Sequence, residues 1–453
     1  MRVLLLNPPG KEAYLRDQYC GGTSTKADYY WHPIDLLMQS GIIAQEHEIM
    51  VLDANVNGLS VKKTLDTING FEPDAIFAIS SIISLEEDLK FFKLCKDEFK
   101  CKIIVSGDVY FFNTRETITI PVIDAILLDF SSDAILEYLR GVKEIKNIAY
   151  KSSEGMFFGE LFSSHNFSIP IPRHDLFSLK SYRLPFMKYS PSVSISTSLG
   201  CPSRCSFCPM CRIKYRERDK YNLFEELDYV HKLGIREIVF RDPTFSANMQ
   251  RTKEICNEMI KQKYDFGWFC DTRVDKVDDE LLSLMKESGC HIIAFGVESG
   301  SEYILKKEMK DISKERITEI FNKCNALGIQ TLAHFIIGFP SDTEETIKET
   351  VDFILTLKCD YLSLNMYVPR YGTPLSREFI DGKSIYDLAH YADSSKIEKS
   401  YCEVPLEELR KYKRLTILRF YLNPLRVLRL LSQIRTVTQL QETVSNGISI
   451  LLK

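Results

Sequence analysis

The chain repeats one pattern over most of its length, a short apolar run followed by a segment long enough for a helix. In residues 1–144 the apolar runs are nearly continuous, which is typical of strands buried on both faces of a parallel sheet. This alternation predicts an α/β domain with a doubly wound parallel sheet, whose ligands lie at the carboxyl ends of the strands. The predicted strands are 2–7, 48–53, 75–80, 101–106 and 122–128, and the predicted helices are 33–44, 61–68, 85–99 and 133–139.

The alternation resumes at residue 192 and continues to residue 375. Six strand and helix pairs in about 180 residues are too few for a complete TIM barrel, so this block predicts a partial (β/α)6 barrel that is open on one side. Functional side chains of such a barrel lie at the carboxyl ends of its strands. The predicted strands are 193–197, 237–241, 266–270, 291–296, 330–337 and 361–367, and the predicted helices are 223–233, 248–261, 278–288, 301–309, 314–327 and 343–356.

Two other segments lack this alternation. Residues 145–191 predict a hairpin and a proline-marked linker, and residues 376–453 predict a mainly helical C-terminal region. We therefore predict four parts, which are a Rossmann-like domain at 1–144, the hairpin and linker at 145–191, the partial barrel at 192–375 and the helical region at 376–453.

Composition excludes several classes of protein. A charged fraction of 26% and an apolar fraction of 45% are ordinary for a globular chain, and a net charge of −4 gives no general attraction to nucleic acid. No apolar run is long enough to span a bilayer, and the apolar start of the chain is too short for a signal peptide. We therefore expect a cytoplasmic protein with no nucleic-acid partner, whose clustered cysteines bind metal and do not form disulfides.

Three cysteines, Cys201, Cys205 and Cys208, follow the first strand of the second block with the spacing C-x3-C-x2-C. Thiolates are soft, charged donors for iron, and a loop this short can place three of them around one face of a four-iron cluster. The fourth iron would keep an open coordination position, which distinguishes a catalytic metal site from a structural one. Spacing alone leaves a zinc site or scattered core thiols as alternatives.

The C-x3-C-x2-C run resembles the signature of the radical S-adenosylmethionine (SAM) enzymes, and Phe207, the aromatic residue before the last cysteine, also fits that signature. The resemblance implies a [4Fe-4S] cluster on the three cysteines, with SAM chelating the fourth iron through its amino and carboxylate groups. It also implies an enzyme that takes one electron from an external donor such as flavodoxin or ferredoxin and cleaves SAM reductively. The resulting 5′-deoxyadenosyl radical would remove a hydrogen atom from an unactivated carbon. Cys211 is expected to be a spare thiol, since a fourth thiolate would abolish SAM chelation.

The same resemblance implies SAM contacts at the strand ends of the barrel. Arg273 would bind the carboxylate or ribose of SAM, and Glu298, in a Gly-x-Glu-Ser-Gly run, would bind its ammonium or ribose hydroxyls. Purely structural roles stay open for three residues, namely a turn for Asp242, a surface ion pair for Arg273 and a helix cap for Ser299. The predicted SAM-binding residues are Phe207, Asp242, Arg273, Glu298, Ser299 and Ile337.

The first block looks like the cobalamin-binding domain that precedes the radical domain in one large subgroup of this superfamily. Such domains have a small hydroxyl residue after the third strand and glycine after the fourth, as this chain has at Ser80 or Ser81 and at Gly107. The chain has no Asp-x-His-x-x-Gly run, and Asp108 stands where a second glycine is common. A degenerate sheet used for substrate or for packing is the open alternative. The predicted cobalamin-binding residues are Asn7, Pro8, Ser80, Ser81, Gly107 and Asp129.

The resemblance implies a reaction for each of these alternatives. With cobalamin bound, it implies methyl transfer from methylcobalamin to an unactivated carbon. With the sheet empty, it implies a radical cyclisation, oxidation or rearrangement. A non-catalytic iron-sulfur module would account for the cysteines but not for the Gly-x-Glu-Ser-Gly run.

Residues at the end of the last barrel strand are the candidates for substrate contact, namely Asn365, Tyr367 and Tyr371. His334, on the preceding strand, faces either the barrel interior or its core wall, and of the two we expect a satisfied core histidine. Residues 410–435 form a basic amphipathic stretch, which can lie on an anionic membrane surface or pack on the barrel. The expected substrate is a small molecule, a natural product or, if the membrane contact is real, a lipid.

Overall fold

Two compact units make up the chain. The computed structural model describes residues 1–17, 22–23, 30–162, 164–182, 184, 186–392 and 397–433. The first unit comprises Met1–Arg183, Arg216–Gly234 and Arg377–Asp393, and the second comprises Leu184–Tyr215, Ile235–Ser376 and Ser394–Lys453. The four-part division expected from the sequence stays a prediction.

Strands and helices alternate along most of the described chain. The strands are β1 (Arg2–Asn7), β2 (Tyr14–Leu15), β3 (Gly22–Thr23), β4 (Glu48–Asp53), β5 (Ala75–Ile79), β6 (Lys102–Ser106), β7 (Ala125–Leu127), β8 (Ile148–Ser152), β9 (Gly155–Phe158), β10 (Asn166–Phe167), β11 (Ser192–Ile195), β12 (Ser198–Leu199), β13 (Arg216–Arg218), β14 (Glu237–Phe240), β15 (Gly267–Thr272), β16 (Cys290–Glu298), β17 (Gln330–Ile337) and β18 (Tyr361–Met366). The α-helices are α1 (Ile34–Ile43), α2 (Val61–Phe71), α3 (Leu85–Phe99), α4 (Asp108–Phe112), α5 (Thr114–Thr117), α6 (Ala134–Arg140), α7 (Lys220–Lys232), α8 (Met249–Lys261), α9 (Asp279–Glu287), α10 (Glu302–Lys307), α11 (Lys314–Ala326), α12 (Glu344–Thr356), α13 (Arg377–Ile380), α14 (Ile385–Ala392), α15 (Leu406–Tyr421) and α16 (Pro424–Gln433).

The first unit is built on a seven-stranded sheet with the order β4-β1-β5-β6-β7-β8-β9. The first five of these strands pair in parallel, whereas β8 and β9 add an antiparallel hairpin. The five parallel strands confirm the predicted doubly wound sheet, and the hairpin predicted within 145–191 extends it, so the whole sheet is mixed. The hairpin joins because its first residues, Ile148, Ala149 and Tyr150, are apolar and buried. The parallel strands have the doubly wound order 2-1-3-4-5, in which the strand order reverses between β1 and β5.

The second unit is built on a six-stranded parallel sheet with the order β11-β14-β15-β16-β17-β18, which is also their order along the chain. On β18, Leu362, Leu364 and Met366 are buried, whereas the residues between them are half-buried. Helices α9, α11 and α15 pack against β16, β17 and β18 respectively. The half-buried face therefore lines the open interior of a partial barrel, and it continues onto β17.

Side-chain caps define the helix starts in the second unit. Asn248, Asp278, Ser313 and Thr343 each accept a hydrogen bond from the backbone N–H three residues later. Each such cap satisfies a donor that the helix leaves unpaired and contributes about 1 kcal/mol. The strand ends, with their functional candidates, are therefore followed by well-defined helices.

The C-terminal helices pack on the barrel. The Tyr421 hydroxyl donates to the Leu362 carbonyl oxygen (3.2 Å) and accepts from the Leu362 N–H (3.0 Å). Arg426 Nη2 donates to the Leu357 carbonyl oxygen at the end of α12 (2.8 Å). The amphipathic stretch thus packs on the barrel over its described part, and residues 434–435 lie outside the described residues. Within those residues, no helix is long and apolar enough to cross a membrane.

Candidate active site

The three predicted cluster cysteines lie on the loop that follows the short strand β12 in the second unit. Gly200 precedes the first cysteine with a φ of +70°, and a Cβ there would lie 2.5 Å from the Lys214 carbonyl oxygen. Only glycine fits so close an approach in this conformation. Between the other two cysteines, the Cys208 N–H donates to the Cys205 carbonyl oxygen at 3.2 Å. The loop therefore turns sharply both before and within the cysteine motif.

The three thiols lie within electrostatic range of one another. Burial raises the pKa of Cys205 and of Cys208, and the neighbouring Cys201 raises both further. In the part of the chain that the structure describes, no three His, Cys, Asp or Glu side chains are arranged to hold a single metal ion.

Two cations offset the negative charge that thiolates would carry. Arg273 Nη1 donates to Cys205 Sγ at 3.5 Å. Burial raises the pKa of Cys205, while Lys310 and Arg273 act to lower it. Nearby positive charge and hydrogen bonds to sulfur favour thiolate ligands. The chemistry of this donor set therefore fits a [4Fe-4S] cluster.

Arg273 is fixed by two further contacts. Its Nε donates to Asp275 Oδ1 (2.8 Å), and its Nη2 donates to the Lys310 carbonyl oxygen (2.6 Å). The ion pair that the sequence offered as an alternative role is thus present between Arg273 and Asp275. It orients the guanidinium of Arg273 toward Cys205. Arg273 positions the cluster loop, and its contact with SAM stays a prediction.

Glu298 forms a nearly buried ion pair with a lysine that the sequence did not single out. Lys310 Nζ donates to Glu298 Oε1 at 2.9 Å. Glu298 has a φ of +70°, which non-glycine residues rarely adopt, so its surroundings must hold it there. Gly296 makes room for the pair, because a Cβ there would lie 2.5 Å from Glu298 Oε1. Nothing in the sequence distinguishes Lys310 from its neighbours Lys306 and Lys307.

Asp242 anchors the chain just before the cluster loop. Its carboxylate accepts hydrogen bonds from the N–H (2.6 Å) and hydroxyl (2.5 Å) of Thr197 and from the Ser198 N–H (3.1 Å). Burial raises the pKa of Asp242 to about 6. Nearby, Thr244 Oγ1 lies 3.4 Å from Cys201 Sγ, a contact that sequence reasoning missed. The structure thus gives Asp242 a positioning role, and its predicted SAM contact stays a prediction.

Three other predicted SAM contacts lie in the wall of the site. The Phe207 ring packs 5.3 Å from the Phe339 ring, measured between centroids. Ile337 is buried. The Ser299 hydroxyl accepts a hydrogen bond from the Ser301 N–H at 3.1 Å, so the turn into α10 accounts for this serine. These residues shape the site, and none of them is shown to touch SAM.

The three predicted substrate residues lie in different surroundings and differ in burial. Asn365 lies on the half-buried interior face of β18, where its Nδ2 donates to Ser363 Oγ at 3.3 Å. Tyr367 is buried and packs against Phe339, with ring centroids 5.6 Å apart. Tyr371 is half-buried in the following turn. Of the three, Asn365 faces the barrel interior and Tyr367 supports its wall.

In the first unit, an arginine occupies the point where the strand order reverses. Arg16 Nη1 donates to Asn7 Oδ1 (2.9 Å) and to the Pro8 carbonyl oxygen (3.0 Å), and its Nη2 donates to Asp88 Oδ1 (2.7 Å). The side chains of Arg16 and Asp88 are both fully buried. The Ser80 hydroxyl donates to Asp88 Oδ2 at 2.6 Å. Three of the groups predicted to contact cobalamin therefore bind other residues of the chain, since Asn7 and Pro8 bind Arg16 and Ser80 binds Asp88.

The remaining predicted cobalamin contacts also have partners within the first unit. A Cβ on Gly107 would lie 1.8 Å from the Ser80 carbonyl oxygen, so this glycine permits two strand ends to approach each other. The Ser81 hydroxyl lies 3.2 Å from that of Ser84. Asp129 forms an ion pair with Arg216 at 2.9 Å.

This arrangement does not fit the nucleotide tail of cobalamin. A tail entering between β1 and β5 would first have to displace the Arg16 guanidinium from Asp88. Removing one partner of a buried ion pair leaves an uncompensated charge, which is strongly unfavourable. The degenerate-sheet alternative therefore has structural support at these strand ends.

Comparison with known proteins agrees with the cysteine loop and its barrel. Residues 195–354 match the family model described as the radical SAM superfamily, so this part of the chain is a radical SAM domain. The chain is 26% identical over 442 residues to an uncharacterized methyltransferase of Pyrococcus horikoshii, a match that covers 94% of this chain and 93% of that protein. It is 23% identical over 412 residues to the anaerobic magnesium-protoporphyrin IX monomethyl ester cyclase of Rubrivivax gelatinosus, covering 86% of this chain and 72% of that protein.

Two solved structures share the fold. One is the radical SAM methyltransferase TsrM from Kitasatospora setae with cobalamin and a [4Fe-4S] cluster bound, with a TM-score of 0.64, 17% identity, and coverage of 83% of this chain and 77% of that one. The other is the cobalamin-dependent radical SAM enzyme OxsB with aqua-cobalamin and SAM bound, with a TM-score of 0.69, 17% identity, and coverage of 100% of this chain and 72% of that one. These likenesses confirm the predicted fold, a Rossmann-like sheet followed by a partial barrel and C-terminal helices.

Proposed function

We propose that this chain is an enzyme that cleaves SAM reductively and acts on an unactivated carbon, with methylation of that carbon as the outcome. The observation that carries the proposal is the network in which Arg273 contacts Cys205 and Lys310 pairs with Glu298. It joins the predicted cluster loop to Glu298, the predicted contact for the ammonium or ribose hydroxyls of SAM. When bound, the cluster and SAM supply the 5′-deoxyadenosyl radical that removes the hydrogen atom.

The protein's own residues would hold and orient these groups. Cys201, Cys205 and Cys208 would be the cluster ligands, with Arg273 and Lys310 balancing their charge. The carboxylate of Glu298 would receive the ammonium or ribose hydroxyls of SAM, because charge-assisted hydrogen bonds are strong and directional. Holding the reacting groups in a fixed geometry is the main contribution that a protein makes to such chemistry.

Methylation is supported by the name of the Pyrococcus horikoshii relative, and a cobalamin-dependent form is supported by the two solved structures. A second molecule of SAM would be the source of the methyl group and would leave as S-adenosylhomocysteine. The buried pair of Arg16 and Asp88 favours a second candidate without methyl transfer, which is a radical cyclisation, oxidation or rearrangement. Because the strand ends do not fit the tail, no step of the proposal passes through cobalamin.

The test uses the full chain, reconstituted anaerobically with iron and sulfide. With SAM and dithionite we expect 5′-deoxyadenosine and methionine, and we expect the electron paramagnetic resonance signal of the reduced cluster to change when SAM is added. Absence of both products would overturn the proposal and leave an iron-sulfur module. S-adenosylhomocysteine among the products would indicate methyl transfer, and cobalamin absorbance retained after gel filtration would favour the cobalamin-dependent form.

Two partners belong to the same proposal. Flavodoxin or ferredoxin would replace dithionite as the electron donor, which the same product assay can measure. A membrane-surface contact through 410–435 is supported by the exposed Leu422, Leu425 and Leu428. It is opposed by the engagement of Arg426 with α12. Failure to bind vesicles of anionic lipid at low salt would rule this contact out.

A further inference from the structure

Two titratable side chains on the barrel interior lie outside the network described above. Asp271 is on β15 and His334 is on β17, and the His334 Nε2 lies 3.6 Å from Asp271 Oδ1. The side chains are 38% and 34% exposed, so both open to the interior space. The expectation that His334 is a buried core histidine is therefore wrong.

The two side chains meet across a whole strand. β16 lies between β15 and β17, and neighbouring strands are about 4.8 Å apart, so side chains two strands apart meet only by leaning together. In the strand register, Ala294 pairs with Asp271, and Gly296 pairs with His334. Ala294 and Gly296 have the smallest side chains of any residues, so β16 places no bulky side chain between Asp271 and His334.

The pair is part of a longer polar row on the interior face of the sheet. His334 is paired in register with Ser363, which accepts a hydrogen bond from Asn365. At its other side the row adjoins the charge pair of the candidate SAM site, since a Cβ on Gly296 would lie 2.7 Å from Lys310 Nζ. A substrate on this row would therefore lie beside the groups expected to hold SAM.

We propose that Asp271, His334, Ser363 and Asn365 form the substrate-binding floor of the barrel, and that the substrate is a polar small molecule with a hydroxyl or amine group next to the reacting carbon. This inference rests on the proposed function and specifies its substrate class. The distance between Asp271 and His334 exceeds a hydrogen bond, so a substrate O–H or N–H can donate to the carboxylate while the imidazole contacts the same group.

The same chemistry disfavours a hydrocarbon substrate at this position. A lipid chain on the row would take a carboxylate and an imidazole out of water and offer neither of them a hydrogen bond, and burying polar groups in this way is costly. Sites built to bind a substrate hydroxyl or amine reject analogues without it by roughly 10⁴-fold. Asp271 and His334 thus determine specificity for a polar substrate over a lipid.

The experiment uses the reconstituted full chain with SAM and dithionite and two probes, an aqueous small-molecule extract and a lipid extract of the cells that encode it. The variants are Asp271→Asn and His334→Gln, which keep the size of each side chain. The matched control is His291→Gln, because His291 pairs with Glu237 at the opposite, amino end of the strands. The readouts are 5′-deoxyadenosine formed with and without extract, and the cluster's resonance signal with SAM.

We expect the aqueous extract to stimulate SAM cleavage by the wild type, and each floor variant to lose that stimulation by about 10-fold or more. His291→Gln should keep both the wild-type stimulation and the wild-type cleavage without extract, and every variant should keep the cluster's resonance signal with SAM, which separates a substrate role from loss of folding. Stimulation by the lipid extract alone, stimulation by neither extract, or full stimulation of both floor variants would overturn the inference. A wild type that forms no 5′-deoxyadenosine under any condition would instead overturn the proposed function.

Discussion

Arg16 and Asp88 form an ion pair with both side chains fully buried, at the point where the strand order of the first sheet reverses. Open α/β sheets bind their ligands at this position. In this chain, Arg16 makes the contacts there with Asn7, Pro8 and Asp88. The first unit therefore has the strand order of a ligand-binding sheet, but the guanidinium of Arg16 lies at the strand ends where a ligand would bind.

Replacing Asp88 should destabilise the first unit strongly. Asp88→Asn leaves the Arg16 charge buried without its counterion, and breaking a buried pair in this way costs about 3–5 kcal/mol. We expect a loss of that size in the free energy of unfolding, measured by urea denaturation. The control is Glu86→Gln, which breaks an exposed pair with Lys90 and should cost no more than about 0.5 kcal/mol. Equal losses in the two variants would contradict the structural role of the pair.

Iron binding should depend on three cysteines and not on the fourth in the same loop. Alanine at Cys201, Cys205 or Cys208 removes a proposed ligand, so each variant should lose most of its iron and sulfide after reconstitution. Cys211→Ala should retain the wild-type iron content, measured by chemical assay and by absorbance of the cluster. Full iron content in all three ligand variants would disprove the assignment.

Lys310 should matter for SAM cleavage although it binds no metal. Lys310→Met leaves Glu298 without its partner and removes positive charge near Cys205. Loss of such supporting contacts typically lowers affinity or activity by about 10–100-fold, which we expect in the rate of 5′-deoxyadenosine formation. Lys307→Met, at an exposed position of α10, should leave that rate unchanged. If the two variants behave alike, the charge pair has no part in the reaction.

The pKa of Asp242 predicts a pH dependence of stability. Burial raises this pKa from 3.8 to about 6, so the folded state favours the protonated form. The resulting stabilisation is complete below about pH 4 and is lost as the pH rises through 6, and a shift of about 2 pKa units corresponds to about 3 kcal/mol.

Asp242→Asn removes this titration. Between pH 4 and pH 7 the wild-type apoprotein should therefore lose about 3 kcal/mol more in free energy of unfolding than the variant does, measured by urea denaturation at several pH values. Asp265→Asn, which breaks an exposed pair with Arg236, serves as the control and should follow the wild type. Parallel pH profiles for wild type and Asp242→Asn would show that the buried carboxyl does not titrate in this range.

The sequence predicted the strands and motifs that local patterns determine. It did not predict the contacts between residues that are distant in sequence. Apolar runs placed the parallel strands, and the cysteine spacing with the Gly-x-Glu-Ser-Gly run identified the candidate site. The sequence did not indicate Lys310 or Arg16, because the role of each depends on a partner that only folding brings near. Lys310 pairs with Glu298, and Arg16 pairs with Asp88. Residues 216–234 pack with the first unit although strands of the second unit flank them in sequence, and no periodicity encodes that choice.

Tyr421 has a consequence for any shortened form of this protein. Its hydroxyl accepts a hydrogen bond from the Leu362 N–H and donates one to the Leu362 carbonyl oxygen. Leu362 lies on β18, an edge strand of the six-stranded sheet. A truncation before α15 would expose the backbone groups of this edge strand, and exposed edge strands pair with strands of other molecules. Such a fragment should form aggregates at concentrations where the full chain stays dispersed.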